Sequence, residues 1–337
     1  MKYNLERDQY YSPLPSKLKI NQTDNEKRVI IIAGPTASGK TRLSQELAKN
    51  INGEIISADS IQVYKNMDIG TAKATLDSRS NIPHHLIDIC DISHGYNVKE
   101  FYDQAKKKIA EIHKRKNVPI VVGGTGFYIQ SLLNGPPNGP PASEKIRKSL
   151  SKDIENFGVE AMYQKLCSLD PKYGETINFR DRHKIIRAME IMTISGKKVS
   201  SFKNTFSTPN SSDIDFRCWF IYFPREILFS RIEMRCDEMI SQGFIKEVED
   251  LLKSGIKENL SASQSIGYRQ CIDFLESERT DEDWEKFVWE FKKASRRYAK
   301  RQFTWFKKDP KFRWVDLDIY GYQKTVEMVI QDYESRY

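Results

Sequence analysis

The stretch VIIIAGPTASGKT, residues 29–41, decides the fold. Its first five residues are apolar and mostly β-branched, which predicts a buried strand of a parallel sheet. The next eight match the phosphate-loop pattern G-x-x-x-x-G-K-[ST] without a mismatch: Gly34, Pro35, Thr36, Ala37, Ser38, Gly39, Lys40 and Thr41. A helix should follow, because apolar residues recur at helical spacing from Leu43 to Ile51.

A loop of this kind binds a diphosphate or a triphosphate. Its backbone N–H groups converge on the anion, the helix start adds partial positive charge, and Lys40 adds a full charge. The Thr41 hydroxyl is a candidate Mg²⁺ ligand. Proteins that use ATP or GTP normally carry an acidic residue at the end of a further apolar strand. The apolar run at 119–122 ends instead in Gly123-Gly124-Thr125, which weakens that interpretation.

Strands and helices alternate along the first part of the chain. Short strands are predicted at 54–57 and 119–122, with a helix over 98–116 between them. This order indicates an α/β fold with a P-loop NTPase-like parallel sheet core. The segment NGPPNGPP, residues 134–141, is the strongest break in the pattern, and helical texture follows it.

The predicted organisation is therefore an interrupted core. Residues 28–142 and 216–337 form the core domain, with a helical C-terminal part, and residues 143–215 form a helical insertion domain. Residues 1–27 are polar and are predicted to be a flexible tail. A first strand or helix of the fold is the alternative for that segment.

Composition narrows the class of protein further. The net charge of +8 permits a polyanionic partner without requiring one. The five cysteines are scattered, which argues against a disulfide framework or a zinc finger and for a reducing cytoplasm. No run approaches the roughly 20 apolar residues of a membrane helix, so no membrane partner is expected. We expect a monomer.

Asp59 is the candidate catalytic carboxylate. It follows the predicted strand at 54–57 and should lie beside the phosphate loop, at the strand-end edge where open α/β sheets bind their ligands. A carboxylate there could hold Mg²⁺ or act as a base. A structural turn or helix-cap role for Asp59 is the alternative.

Taken together, the motifs resemble those of the tRNA dimethylallyltransferases, also called tRNA isopentenyltransferases. The resemblance runs from about residue 28 to 308. It is carried by the phosphate loop and by SADSIQVYKNMDIGTAK (57–73), PHHLID (83–88), GGTGFY (123–128), DRHKIIRAME (181–190), SGK (195–197), SIGYRQ (265–270) and AKRQFTW (299–305). The adenylate isopentenyltransferases share the first and third of these but usually differ at 67–73. They remain an alternative, as does a kinase or another NTP-using protein.

The resemblance implies a reaction. Dimethylallyl diphosphate would give its five-carbon group to N6 of adenosine 37 in the tRNA anticodon loop and release diphosphate. The phosphate loop would hold the donor with Mg²⁺ on Thr41, and Thr36 and Ser38 would be nearby donors. Lys40 would stabilise the leaving group, Asp59 would be the base, and Thr125 would touch the reacting nucleotide or the donor.

The resemblance also implies tRNA contacts. The predicted contact residues are Asp59, Ser60, Ile61, Gln62, Thr125, Arg147, His183, Lys184, Ile185, Ile186, Arg187, Gly267, Tyr268, Arg269, Arg297, Lys300 and Arg301. Many relatives have Arg where Lys184 stands, and a lysine loses the bidentate phosphate contact of an arginine. The insertion would clamp the anticodon stem.

A basic helix near the C-terminus is the predicted phosphate-binding surface. Residues 292–308, KKASRRYAKRQFTWFKK, contain eight basic residues and no acidic ones. Apolar residues recur at helical spacing, so one stripe should be buried and another basic. A solvated basic face without a partner is the alternative. Trp305 is assigned to the core and not to a base-stacking surface.

Overall fold

The computed structural model describes residues 28–202 and 214–335. The predicted tail, 1–27, and part of the predicted insertion lie outside the described residues. The strands are β1 Arg28–Ala33, β2 Gly53–Ser57, β3 His84–His85, β4 Val118–Gly123, β5 Asp215–Tyr222 and β6 Arg313–Asp316. The α-helices are α1 Lys40–Ile51, α2 Leu76–Asn81, α3 Val98–Lys114, α4 Gly126–Asn134, α5 Glu144–Phe157, α6 Val159–Leu169, α7 Pro171–Gly174, α8 Arg182–Ser195, α9 Arg225–Ser241, α10 Phe244–Lys253, α11 Leu260–Ser263, α12 Tyr268–Leu275, α13 Asp281–Phe306 and α14 Leu317–Glu334.

The strands form a six-stranded parallel sheet in the order β3-β2-β4-β1-β5-β6. The α/β class and the strands predicted at 29–33, 54–57 and 119–122 are therefore confirmed. Strand β4 lies between β1 and β2, with Ile31 opposite Val121 and Ser57 opposite Val122. The carboxyl ends of these three strands consequently share one edge, which is where such sheets bind ligands.

The core is built around β1, all of whose residues are buried. Leu43 and Leu47 of α1 and Phe101 and Ile109 of α3 belong to the same buried cluster. The sequence pattern missed β6, because its four residues are too short to stand out between two helices.

The described chain divides into two compact units. The second begins at Asn134, before the predicted start of the insertion at 143. The reason is that the Pro/Gly-rich segment packs on the helices that follow it: Arg187 donates a 2.7 Å hydrogen bond to the Pro140 carbonyl. Leu150, Ile154, Met162 and Leu166 form a separate small core in this unit.

A buried charge cluster connects β2 to the edge strand β3 and to the segment that precedes β4. Glu54 of β2 is 3% exposed and accepts hydrogen bonds from Arg115 at 2.9 and 2.7 Å, from Asn117 at 2.8 Å and from His85 at 2.6 Å. Burial opposes ionisation, but these hydrogen bonds outweigh it and lower the pKa of Glu54 to about 2.

We predict that Glu54→Gln lowers the free energy of unfolding by about 2 kcal/mol near neutral pH, because charge-assisted bonds are lost. The lowered pKa means that Glu54 contributes its full stabilisation above the unfolded-state value of about 4.3, and that this contribution disappears as pH falls towards 2. Chemical denaturation at several pH values should show the difference between wild type and variant shrinking on acidification. The matched control is Glu46→Gln, which breaks an exposed pair with Arg42. An equal loss in that control would contradict the assignment.

Candidate active site

The phosphate loop joins β1 to α1 in the geometry that its sequence predicts. Gly39 is the residue before α1 and has φ +86°, a left-handed conformation that favours glycine. A Cβ on Gly39 would also collide with the Tyr322 hydroxyl, and one on Gly34 with the Ile221 carbonyl. The loop is therefore enclosed by residues from β5 and α14.

Lys40 closes back onto this loop. Its Nζ donates to the carbonyls of Gly34 at 3.0 Å and Pro35 at 2.7 Å. Burial and the nearby positive charge of Arg235 lower the pKa of Lys40 to about 7, while Asp59 acts in the opposite direction. Within the described residues the buried Ser38 hydroxyl has no hydrogen-bond partner. An ammonium next to an unpaired hydroxyl is suited to an anion that brings its own acceptors.

Helix α9 adds two arginines that the sequence patterns did not reveal. Arg231 donates through Nε to the Ala37 carbonyl of the phosphate loop at 3.0 Å. Arg235, one turn further on, lines the cavity beside the loop, and burial lowers its pKa. Their spacing of four places them on one helix face. No local sequence motif shows that this face of α9 lies against the phosphate loop. Only the fold therefore identifies the two arginines.

Asp59 and Thr125 meet where β2 and β4 end. The Asp59 Oδ1 atom accepts hydrogen bonds from the N–H groups of Ile61 at 2.9 Å and Gln62 at 3.2 Å. The Ser60 N–H group donates to the Thr125 hydroxyl at 3.2 Å. Asp59 thus stabilises its own turn and also lines the cavity. The structural turn role and the predicted position in the site therefore both apply to this residue.

Helix α13 connects the phosphate loop to the end of β4. The Gln302 side chain accepts from the Thr36 N–H group at 2.9 Å and donates to the Gly124 carbonyl at 3.0 Å. A Cβ on Gly124 would collide with that amide. Tyr298, one turn earlier, lines the cavity, and burial raises its pKa.

Some of these residues line a cavity of about 310 Å³. Its polar lining includes Thr36, Asp59, Arg235, Tyr298 and Arg301. Its apolar lining includes Ile61, Ile232, Met239, Ile266 and Phe291. The combination suits a ligand that carries both charge and a small hydrocarbon group.

The predicted tRNA contacts on α8 fall into different environments. His183 and Lys184 are exposed. Arg187 pairs with the buried Glu190 at 2.6 Å, and Arg147 pairs with it at 3.0 Å. Ile185 is fully buried, because it faces the small core of the second unit, and Ile186 packs against the same core. Their contact with tRNA stays a prediction.

Two predicted contacts in SIGYRQ are buried. Gly267 is buried with φ +88°, and Tyr268 is 1% exposed, because both pack around the aromatic side chain of Phe244. Tyr268 reaches a ligand only through the cavity that it lines. Arg269 is exposed, as a surface contact requires.

The basic helix has both predicted stripes. Its buried stripe consists of Phe287, Phe291, Ser295, Ala299, Gln302 and Phe306. Trp305 lies one position off this stripe and is 42% exposed, so its assignment to the core is wrong; its ring meets the exposed Phe127 edge-on at 6.4 Å.

The cations of this helix are not equivalent. Lys292 pairs with Asp237 at 2.7 Å, and Arg296 pairs with Glu233 at 2.5 Å. In the part of the chain that the structure describes, no carboxylate lies within ion-pair distance of the exposed Arg297, Lys300 and Arg301. Arg297, Lys300 and Arg301 are therefore available to an external anion.

The structure combines a parallel sheet with a phosphate loop, a carboxylate at the end of a nearby strand and a cavity beside them. These features define the class of the protein, which is an α/β phosphate-loop protein. Residues 62–309 match the family model of IPP transferase. The tRNA dimethylallyltransferase of Protochlamydia amoebophila is 50% identical over 320 residues, which cover 94% of this chain and 92% of that protein. The chain belongs to the IPP transferase family.

Solved structures agree with this assignment. The full-length tRNA isopentenylpyrophosphate transferase of Bacillus halodurans is 36% identical with a TM-score of 0.65, covering 92% of this chain and 97% of that one. A eukaryotic dimethylallyltransferase acting on tRNA is 28% identical with a TM-score of 0.74, covering 92% of this chain and 80% of that one. None of the helices among the described residues is long and apolar enough to span a membrane.

The lowered pKa of Lys40 makes a prediction about anion binding. The pKa of Lys40 in the free protein is lowered to about 7, so the side chain loses its proton as the pH rises through that value. Above that pH, Lys40 must therefore be protonated again when an anion binds to its charged form. Affinity for pyrophosphate at fixed Mg²⁺ should therefore fall above pH 7, by up to about tenfold per pH unit.

Calorimetric titration between pH 6.5 and 8.5 measures this dependence. Lys40→Arg is the matched control, because a guanidinium stays charged throughout. The same pH dependence in both proteins would assign it to pyrophosphate and contradict the role of Lys40.

Proposed function

We propose that the protein transfers a dimethylallyl group from dimethylallyl diphosphate to N6 of adenosine 37 in the tRNA anticodon loop. The observation that carries the proposal is that Thr36 of the phosphate loop and Asp59 line one cavity in a chain of the IPP transferase family. The C–O bond of the donor breaks, a C–N bond forms, diphosphate leaves, and the N6 proton passes to a base.

The cationic end of the site suits the leaving group. Diphosphate gains negative charge as the C–O bond breaks, so positive groups already in place stabilise the transition state. Lys40, the loop N–H groups and Arg235 supply that charge, and Arg231 holds the loop through Ala37.

Mg²⁺ fits this site through the chemistry of its donor set. The described residues contain no cluster of three or more His, Cys, Asp or Glu that could hold a metal ion. Mg²⁺ typically takes one or two protein ligands and completes its shell with phosphate oxygens and water. Thr41, exposed at the start of α1, would hold it. When bound, Mg²⁺ would supply further charge neutralisation on the diphosphate.

Asp59 serves the acceptor half of the reaction. The lone pair of an adenine N6 is delocalised into the ring, and its protons become acidic only as the new C–N bond forms. A carboxylate within hydrogen-bond reach can take the proton at that point. The N–H groups of Ile61 and Gln62 fix the orientation of the Asp59 carboxylate.

The target adenine must leave its stack to reach this cavity, at a cost of a few kcal/mol. Phosphate contacts offset that cost, and the exposed Arg297, Lys300 and Arg301 are placed for them. Arg301 also lines the cavity, so it can contact RNA where the adenine enters. The monomeric state and the cytoplasmic location remain predictions.

A product assay tests the function directly. The protein is incubated with dimethylallyl diphosphate and Mg²⁺ together with unmodified tRNA, AMP or ATP, and prenylated adenine and released diphosphate are measured. Prenylation of tRNA alone is expected. Prenylation of AMP or ATP would favour the adenylate isopentenyltransferases, and ATP hydrolysis without prenylation would favour a nucleotide-using enzyme.

We predict that Asp59→Asn lowers turnover by at least about 100-fold, because the amide cannot take the N6 proton. Affinity for tRNA should stay nearly unchanged, since the substitution preserves size and hydrogen-bonding positions. Asp103→Asn, which removes a carboxylate from the exposed face of α3, is the matched control. Near-normal turnover of Asp59→Asn would remove Asp59 from the mechanism.

We predict that replacing Arg297 and Lys300 together by Ala weakens tRNA binding and lowers the slope of log affinity against log salt by about one to two units. Saturating tRNA should restore most of the turnover, because neither residue lines the cavity. Arg301 is left intact because it does.

The matched control removes the same charge from the same helix. Lys292 and Arg296 are both paired with carboxylates, so their replacement by Ala should leave the salt slope nearly unchanged. An unchanged slope in the Arg297 and Lys300 variant would show that this stripe is only a solvated face.

A further inference from the structure

Glu247 lies on α10, outside every motif that the sequence revealed, yet four donors converge on its carboxylate. Its Oε2 atom accepts from the N–H groups of Asp68 at 2.9 Å and Ile69 at 2.7 Å. Its Oε1 atom accepts from the N–H group of Gly70 at 3.1 Å and from the Tyr268 hydroxyl at 2.7 Å. Such charge-assisted bonds fix both the loop and the tyrosine relative to α10.

The loop that Glu247 holds is connected to the proposed base. The Gln62 side chain donates to the Thr71 carbonyl at 3.1 Å, directly after the three N–H groups that Glu247 accepts. The Gln62 N–H group donates to Asp59 Oδ1 at 3.2 Å. Gly70, Thr71 and Asp59 all line the cavity. A continuous chain of contacts therefore runs from α10 to the carboxylate of Asp59.

The other end of the loop is held by a buried cation. Lys73, whose side chain is 3% exposed, donates to the Tyr64 carbonyl at 2.6 Å, to Asp68 at 2.7 Å and to Asp88 at 2.5 Å. The MDIGTAK and PHHLID motifs thus form one unit through Lys73. Glu247 adds the connection between this unit and the distant α10.

We propose that Glu247 is a positioning residue: through the loop at 68–71 and Gln62 it sets the orientation of the Asp59 carboxylate in the cavity. This inference rests on the proposed function. A carboxylate is required because all four groups that meet it are donors, and an amide would turn two hydrogens towards them. Small displacements of a reacting group carry large rate costs, so the effect should appear in turnover.

Glu247→Gln tests the proposal. We expect kcat for tRNA prenylation to fall by about tenfold or more, with little change in KM for dimethylallyl diphosphate, because the phosphate loop makes no contact with Glu247. Glu249→Gln, two positions along α10, is the matched control, since its nearest cation is Arg279 at 3.9 Å. Unchanged kcat in Glu247→Gln would overturn the proposal.

A double-mutant cycle separates positioning from a general loss of stability. If Glu247 acts through Asp59, adding Glu247→Gln to Asp59→Asn should change kcat by less than about twofold, because the group that it orients is already disabled. Multiplying effects would overturn the proposal. If Glu247→Gln does not fold, Gln62→Leu carries the same cycle, because it cuts the link between Thr71 and Asp59 and leaves the four bonds of Glu247 in place.

The wild-type assay separates this inference from the proposed function. A wild type that does not prenylate tRNA contradicts the function itself. An active wild type with an impaired Asp59→Asn and a normal Glu247→Gln contradicts only the positioning role. Normal turnover in Asp59→Asn contradicts the base and, with it, the positioning that acts through the base.

Discussion

The placement of β4 between β1 and β2 is the constraint on which the site depends. Strands that are parallel and adjacent end at one edge, so Ala33, Ser57 and Gly123 bring the segments that follow them together. The phosphate loop, Asp59 and Thr125 are those segments. Had β2 paired directly with β1, Thr125 would lie on the far side of Asp59 from the loop, and Gln302 could not span from the loop to the end of β4.

Helix α13 turns this edge into a covered site. Gln302 lies at the strand ends, where its side chain holds the phosphate loop and the Gly124 carbonyl. Arg297 and Lys300 lie on the exposed side of the same helix. One helix therefore connects the proposed donor site to the proposed RNA surface, and it sets the distance between the proposed phosphate contacts and Asp59.

Short sequence patterns predicted those parts of the site that are formed by residues close together in the chain. The phosphate loop, the strands around it and the position of Asp59 follow from runs of a few residues. Arg231, Gln302 and Glu247 were not predicted, because their partners are 194, 266 and about 178 residues away and no spacing rule reports such contacts. Trp305 was misassigned to the core because the pattern of residues identifies a helix more securely than the rotation of its faces.

A crystal structure of the complex with an unreactive thio analogue of dimethylallyl diphosphate and an anticodon stem-loop would test the central claim most directly. That claim is that one sheet edge holds the donor diphosphate and the base together. The account predicts the diphosphate within the loop at 34–41 and N6 of an extruded adenine about 3 Å from an Asp59 carboxylate oxygen. A diphosphate outside that loop, or an adenine N6 beyond hydrogen-bond reach of Asp59 in the closed complex, would contradict it.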